Sequence, residues 1–256
     1  MTINVVDKAL LGMSGLQACI GVEVGQVNHV VLMCGDPFRV QLIADQLEDV
    51  VEIAHRREYR MVNGYYKGRP ITACSHGAGC PSTAIAVEEL ARAGAKLFIR
   101  VGSSAALQPH ISVGDLIVSE GALRNEGTNG AFVPPGYPAV PDLALTSALV
   151  RVARSIGADH GFQVHSGINA TDDTYYGETP EWISKLSSLL ITNVEMESSV
   201  IFVIARQHSL RAGMVCAVSS NLVTGDVVVE QNNERLAVGW RHSITVALET
   251  VHQLAI

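Results

Sequence analysis

The sequence predicts an α/β fold in which a largely parallel or mixed sheet is covered by helices on both faces. Short apolar runs rich in β-branched residues alternate with helical patterns along most of the 256 residues. Hydrophobic residues make up 48% of the chain, and neither an internal repeat nor a linker divides it. We therefore expect one domain over residues 1–256 with a large core.

Seven segments have the length and composition of β-strands. They are His29–Met33, Ile71–Ser75, Leu97–Val101, Asp115–Ser119, Gly167–Ala170, Leu190–Glu195 and Gly213–Ser219. Ligands of such folds bind at the carboxyl ends of the strands. The polar residues that follow these strands are therefore the first candidates for a functional site.

Six segments between the strands have helical periodicity. They are Phe38–Leu47, Ser82–Ala93, Asp142–Ile156, Pro180–Leu189, Glu197–His208 and Asn233–Leu254. In Ser82–Ala93, apolar residues such as Leu90 lie on one side, and Glu88, Glu89 and Arg92 lie on the other. This pattern predicts a helix that packs on a sheet.

Composition and charge exclude several classes of protein. A net charge of −7 argues against a general nucleic-acid-binding protein. No apolar run approaches the ~20 residues of a membrane span, and no secretory signal is recognisable. Five cysteines without a CxxC pair favour a reducing cytoplasm, and no histidine, cysteine or carboxylate cluster has metal-ligand spacing. We expect a cytoplasmic protein with no nucleic-acid or membrane partner and no bound metal.

Three arginines in an acidic protein are the strongest indication of a ligand. Arg39, Arg57 and Arg100 each lie where a strand is predicted to meet a loop, and Arg100 lies within an apolar strand. A buried guanidinium needs an anionic partner, and phosphate matches its planar set of donors. Small neighbours at Gly35 and at Gly102–Ser104 allow backbone N–H groups to approach the same anion. The alternative is that Arg100 pairs with a core carboxylate.

The segment Glu195-Met196-Glu197 is the second candidate. Glutamates at positions i and i+2 of an extended segment point the same way, and such a pair of acceptors suits the vicinal hydroxyls of a sugar. Methionine adds an adaptable apolar surface. The alternative is a solvated helix N-terminus, where acidic residues are common.

An aromatic pair, Tyr175 and Tyr176, follows the polar segment Thr171–Thr174. Aromatic side chains beside hydrogen-bonding groups are able to stack on a flat ring and to bind its edge. The alternative for such a pair is ordinary core packing.

Several stretches, taken together and in order, resemble the nucleoside phosphorylase-I family, and within it the uridine phosphorylase branch. They are Gly35-Asp36-Pro37, Cys80–Leu90, Leu107–Asp115, Tyr137–Asp142, Glu195–Ser198 and Leu210–Val215. The resemblance extends from about Val31 to the C-terminus.

This resemblance implies a three-layer α/β/α sandwich whose central mixed sheet forms a distorted barrel. It implies reversible phosphorolysis of a ribonucleoside to the free base and ribose 1-phosphate, with inorganic phosphate as co-substrate and no cofactor. It also implies a homo-oligomer, usually a hexamer built from dimers, with the active site at the dimer interface.

The resemblance also assigns roles to residues. Phosphate would be bound by Gly35, Arg39, Arg100 and Ser103, and by Arg57 reaching the site of the neighbouring subunit. Ribose would be bound by Ser103, Glu195, Met196 and Glu197, and the base by Ser104, Tyr175 and Ser220. Arg39, Arg100 and Glu197 would be the catalytic residues. Glu58 and Ser82 would bind a monovalent cation such as K⁺ between subunits.

The base half of the site departs from the family pattern. The glutamine and arginine that bind uracil in uridine phosphorylases are missing from Tyr176–Trp182. The aspartate that protonates purines is also missing, and Asp226 lies in a predicted loop at a different spacing. Gln17 stands where the family has a histidine for the ribose 5′-hydroxyl, and Ala105 replaces a glycine.

These departures leave the choice of base open. We expect a uridine phosphorylase-like enzyme with an altered base pocket. The alternatives are a purine nucleoside phosphorylase, a phosphate-independent nucleosidase and a non-catalytic nucleoside-binding protein.

Overall fold

The computed structural model describes residues 15–227 and 234–254, and ten strands of this part form one sheet. The strands are β1 (Val30–Cys34), β2 (Glu48–Arg56), β3 (Tyr59–Tyr66), β4 (Arg69–Ser75), β5 (Leu97–Ala106), β6 (Leu116–Asn125), β7 (Val164–Asp172), β8 (Asn193–Glu195), β9 (Arg211–Asn221) and β10 (Asp226–Val227). The α-helices are α1 (Arg39–Ala44), α2 (Cys80–Ala93), α3 (Leu143–His160), α4 (Pro180–Ser188), α5 (Ser198–Gln207) and α6 (Glu234–Gln253). Short 3-10 turns lie at Thr128–Ala131 and Tyr175–Gly177.

The sheet closes on itself because β9 pairs with β6 on one side and with β5 on the other. Strands β5, β9, β6, β7 and β8 thereby form a five-stranded barrel. The pairing of β5 with β9 is parallel, whereas β6 with β9 and β5 with β8 are antiparallel. The predicted mixed sheet with a distorted barrel is confirmed.

Helices cover both faces of the sheet and bury two separate apolar cores. One core contains residues of α1, α3 and α6, and the other contains residues of α2 and α5. Helix α4 covers a smaller cluster that includes Leu186 and Val194. The three-layer α/β/α arrangement is therefore confirmed. Within residues 15–227 and 234–254, no helix combines the length and apolar character that crossing a membrane requires.

Every predicted strand and helix is present, although several bounds differ. Strand β5 was expected to end at Val101 and continues to Ala106, because Gly102–Ser104 pair with β9. The expected strand Leu190–Glu195 shortens to Asn193–Glu195, since Leu190 adopts a φ of +60° in the turn after α4. The expected start of the last helix, Asn233, lies outside the described residues.

Three strands were not predicted from the sequence. Strand β2 is exposed along most of its length, and β3 pairs with it through the turn at Arg57. Strand β10 has two residues and pairs with the end of β9. Strands β2 and β10 lack the apolar alternation on which the prediction depended, because neither is packed into the core. Strand β3 was missed although it is largely buried and contributes Met61 and Val62 to the cores.

Candidate active site

A cavity of about 330 Å³ lies where β1, β5, β8 and β9 bring their polar residues together. Most of the predicted site residues line it, namely Gly35, Arg39, Arg100, Ser103, Ser104, Tyr175, Glu195, Met196, Glu197 and Ser220. Arg57, Glu58 and Ser82 are not among its lining residues. The carboxyl ends of the strands therefore form the pocket, as the fold class predicts.

Arg100 is buried at the centre of this cavity and is paired with two carboxylates. Its Nε lies 2.9 Å from Glu195 Oε2, and its Nη2 lies 2.5 Å from Glu197 Oε2. Burial favours the neutral form, but the carboxylates of Glu197 and Glu195 outweigh it and raise the pKa of Arg100. The pairing with core carboxylates, considered from the sequence as an alternative to an oxyanion, is therefore observed.

Gly102 provides the space for this guanidinium. Residues i and i+2 of a strand share a face, so position 102 lies beside the side chain of Arg100. A Cβ atom at Gly102 would lie 2.9 Å from Cζ of Arg100. From the sequence, Gly102 was expected to let backbone N–H groups approach an anion. In the structure its missing side chain instead leaves room for Arg100 to lie along its own strand.

Glu195 has no free acceptor position for a ligand. Its Oε1 accepts hydrogen bonds from Asn169 Nδ2, Thr171 Oγ1 and Ser198 Oγ. Its Oε2 accepts from Arg100 Nε and from the backbone N–H groups of residues 197 and 198. The expectation that both glutamates offer acceptors to a sugar needs correction, because Glu195 is saturated by protein donors.

Glu197 is the carboxylate that remains available. It is 5% exposed and precedes helix α5, so the alternative of a solvated helix N-terminus is wrong. Its Oε1 accepts from the backbone N–H of Gly79 at 2.8 Å, and its Oε2 pairs with Arg100. Each carboxylate oxygen accepts more than one hydrogen bond, so Glu197 retains acceptor positions toward the cavity.

Arg39 differs from Arg100 because no carboxylate pairs with it in the described part of the chain. It is the first residue of α1, and its guanidinium lies 5.3 Å from the ring centroid of Trp240. Its Nη1 donates to Ser103 Oγ at 3.4 Å. A Cβ at Gly35 would lie 3.4 Å from its Nη2. The cavity thus contains a cation whose charge is left for a ligand to neutralise.

His76 was missed by sequence reasoning and completes the contacts of Arg100. It is fully buried, and Arg100 Nη1 lies 3.3 Å from its Nε2. Its Nδ1 lies 2.9 Å from the carbonyl oxygen of Gly77. Burial and the charge of Arg100 lower its pKa, so a neutral ring donates from Nδ1 and accepts at Nε2. The signal in the sequence was a histidine directly after a predicted strand, at the start of a glycine-rich turn.

The comparisons with known proteins agree with this geometry. Residues 29–249 match the family model described as the phosphorylase superfamily. The chain belongs to that superfamily. The resemblance to nucleoside phosphorylases of the uridine phosphorylase branch, and the enzyme class that it implied, are confirmed by this match and by the relatives.

Three members of the superfamily illustrate the similarity. A uridine phosphorylase of Thermococcus kodakarensis is 42% identical over 94% of this chain and 87% of its own. A guanosine phosphorylase of Halorubrum lacusprofundi is 42% identical over 80% of this chain and 83% of its own. A crystal structure of purine nucleoside phosphorylase from Toxoplasma gondii, in complex with immucillin-H, has a TM-score of 0.85 and 30% identity and covers 92% of this chain and 95% of its own.

The residues predicted to bind the base line the cavity from the turn after β7 and from the ends of β5 and β9. Tyr175 and Tyr176 are 64% and 99% exposed, so the alternative of core packing is wrong. Ser104 is buried, and its Oγ has no hydrogen-bond partner among the described residues. Glu178, which the sequence did not single out, also lines this cavity.

The other residues considered for the base half lie elsewhere. Asp226 pairs with Arg235 at 3.7 Å and does not line the cavity. Gln17 is buried in its own chain, where its Nε2 donates to the carbonyl oxygen of Gly15. Neither residue contributes to the site of the same subunit.

Arg57, Glu58 and Ser82 lie together outside the cavity. Arg57 is exposed in the turn between β2 and β3 and adopts a φ of +56°, which is uncommon for a residue with a side chain. A Cβ at Gly77 would lie 2.9 Å from Cγ of Glu58 and 3.0 Å from Oγ of Ser82. The expected cation-binding pair is thus brought together around Gly77.

Proposed function

We propose that this chain catalyses the reversible phosphorolysis of a ribonucleoside. The observation that carries the proposal is Arg39, a cavity cation without a carboxylate partner in the described structure, which donates to Ser103 and lines the same cavity as Glu197. An oxygen of phosphate attacks C1′ of the ribose, and the glycosidic C–N bond breaks. Its electron pair passes to the base, which takes up a proton or a hydrogen bond. The products are the free base and ribose 1-phosphate.

Positioning and charge stabilisation are the contributions of the protein. Arg39, Ser103 and Gly35 bind phosphate under the sugar, so that the anion is both nucleophile and counter-charge to an oxocarbenium-like ribose. Arg100 adds donors to this subsite, and Glu195 holds it in place. Glu197 accepts hydrogen bonds from the ribose hydroxyls, and Met196 packs against the sugar.

The base subsite is the part that differs from uridine phosphorylases. Tyr175 stacks on the base, and the hydroxyls of Ser104 and Ser220 bind its edge. Relatives are named for uridine and for guanosine, so the scaffold accommodates both base classes. A uridine-like enzyme with an altered base pocket is the first candidate. A purine nucleoside is the second, because no amide side chain lines the described cavity.

A homo-oligomer with sites at subunit interfaces is part of the proposal. Exposed apolar side chains lie on segments next to the cavity, among them Phe38 and Tyr176. Arg57 is exposed and outside its own cavity, so it serves a site only if that site belongs to a neighbour. The carboxylate of Glu58 and the hydroxyl of Ser82 fit one side of a K⁺ site shared between subunits. The hexameric state, the cytoplasmic location and the absence of a cofactor stay predictions.

Arg39→Ala tests the phosphate subsite. We expect the KM for phosphate to rise by about 10- to 100-fold, because a charge-assisted contact is worth ~1.5–3 kcal/mol. Arg154→Ala, which removes an exposed arginine from α3, is the matched control and should behave as wild type. An unchanged phosphate KM in Arg39→Ala would contradict the assignment.

A further inference from the structure

Glu178 is a cavity carboxylate that the arrangement above does not use. It lies directly after the 3-10 turn Tyr175–Gly177, and it lines the cavity together with Tyr175, Leu222 and Val227. Within residues 15–227 and 234–254 it makes no hydrogen bond and no ion pair. By contrast, Glu195 and Glu197 are both paired with Arg100. A half-buried carboxylate without a partner in a ligand cavity leaves its acceptors for the ligand.

Its neighbours place it in the base subsite. Tyr175, three residues earlier, presents an exposed ring, and Leu222 and Val227 supply the apolar side of the same cavity. Phosphate and ribose contacts come from other elements, at Arg39, Ser103 and Glu197. The group that Glu178 meets is therefore the edge of the base.

We propose that Glu178 recognises the base and selects a 2-amino-6-oxopurine, that is guanine, over uracil. This inference rests on the proposed phosphorolysis and names its substrate class. An ionised carboxylate offers only acceptors, arranged side by side. The N1–H and N2–H₂ donors of guanine are also adjacent, so two parallel hydrogen bonds form. Uracil presents a donor between two carbonyl oxygens, and an ionised carboxylate repels both oxygens.

The protonation state of Glu178 provides a second test of this proposal, through the dependence of base preference on pH. Burial, and then the nearby charge of Asp172, raise the pKa of Glu178 to about 7. Asp172 ends β7 and accepts hydrogen bonds from the backbone N–H and the hydroxyl of Thr174. The other titratable or charged side chains that line the described cavity are Asp36, Arg39, Arg100, Tyr175, Glu195 and Glu197. The charged side chains of helix α4, Glu181 and Lys185, are exposed.

A protonated Glu178 presents one donor and one acceptor, as an amide does. This form suits uracil, whereas the ionised form suits guanine. The ratio of kcat/KM for guanosine to kcat/KM for uridine should therefore rise as the pH increases from 6 to 8. Glu178→Gln fixes the amide pattern at every pH and should remove this dependence.

The experiment compares kcat/KM for guanosine, inosine and uridine with saturating phosphate at pH 6, 7 and 8. Wild type should prefer guanosine to uridine at pH 8. Glu178→Gln should lower kcat/KM for guanosine by about 10- to 100-fold and leave that for uridine equal or higher. Inosine lacks the 2-amino group and should be affected less than guanosine. Glu181→Gln, on the exposed side of α4, is the matched control.

An unchanged guanosine-to-uridine ratio in Glu178→Gln, with active enzyme, would overturn this inference and leave the proposed phosphorolysis intact. A wild-type preference for uridine at pH 8 would also overturn the inference about Glu178 and leave the proposed phosphorolysis intact. If wild type cleaves none of the three nucleosides in the presence of phosphate but cleaves adenosine, only this inference fails. If adenosine also stays intact, the proposed function fails with it.

Discussion

At the residue scale, the chemistry of the candidate site depends on which arginine side chains are already paired with carboxylates. Arg100 has two carboxylates and a neutral histidine around it, whereas Arg39 contacts a serine and the ring of Trp240. The two arginines looked equivalent in the sequence. The structure separates them, because the carboxylate partners of Arg100 come from residues about a hundred positions away along the chain. Sequence spacing identified both arginines and both glutamates but not their pairing.

Arg100→Ala is expected to destabilise the fold as well as reduce activity. The substitution leaves Glu195 and Glu197 buried without their counter-charge, and breaking a buried pair in this way costs about 3–5 kcal/mol. Denaturant unfolding of the variant measures this loss directly. Arg100→Lys keeps one positive charge and should be destabilised less. A free energy of unfolding equal to wild type in Arg100→Ala would contradict the pairing.

Glu197→Gln tests the ribose contact with little change in shape. The amide still accepts the hydrogen bond from Gly79 but loses the negative charge that the proposed function directs to the ribose hydroxyls. We expect kcat/KM for ribonucleosides to fall by about 10- to 100-fold, with a smaller effect on 2′-deoxyribonucleosides. Equal losses on both sugars would indicate that Glu197 acts only by positioning Arg100.

At the element scale, strands and helices were predicted where the burial of one face gives their apolar residues a regular spacing in the sequence. Helix α2 has an apolar side, although Glu89 is buried and accepts hydrogen bonds from the backbone N–H groups of Cys19 and Ile20. Strand β2 was missed because it is exposed, and the extension of β5 was missed because its pairing with β9 is long-range. Such pairings leave no local pattern in the sequence.

Asp142 caps helix α3 and provides a test of element stability. Its Oδ1 accepts the backbone N–H of Leu145 at 2.8 Å, which satisfies one free donor of the first turn. Asp142→Ala should lower the free energy of unfolding by about 1 kcal/mol. Asp142→Ser keeps a capping oxygen and should lose less, which thermal unfolding would show. Equal losses in the two variants would indicate that the contact with Arg211, 3.4 Å away, matters instead.

At the scale of the whole molecule, the cavity is lined by Arg39, Arg100 and Glu197 but not by Arg57. The hairpin formed by β2 and β3 presents Arg57 at an exposed turn with a strained backbone, and such strain is concentrated at functional sites. The sequence singled out Arg57 as one of three arginines at strand–loop junctions, and only the family resemblance assigned it to the site of a neighbouring subunit.

Complementation between two variants with weakened phosphate binding, assayed at a phosphate concentration far below the KM of either variant, tests whether Arg57 acts across an interface. In a dimer of Arg57→Ala with Arg39→Ala, one site has both defects and the other has neither. Co-expressed variants should therefore recover about one quarter of wild-type activity if subunits pair at random. Activity no greater than the sum of the separate variants would contradict a shared site.

The measurement that tests the central claim most directly is base release by the wild-type protein with and without inorganic phosphate. Uridine, thymidine, guanosine, inosine and adenosine form the panel, and the sugar 1-phosphate (ribose 1-phosphate, or 2-deoxyribose 1-phosphate from thymidine) is quantified beside the base. The account predicts cleavage only with phosphate, with one sugar 1-phosphate formed for each base released. Base release at the same rate without phosphate, with the free sugar as the product, would contradict it.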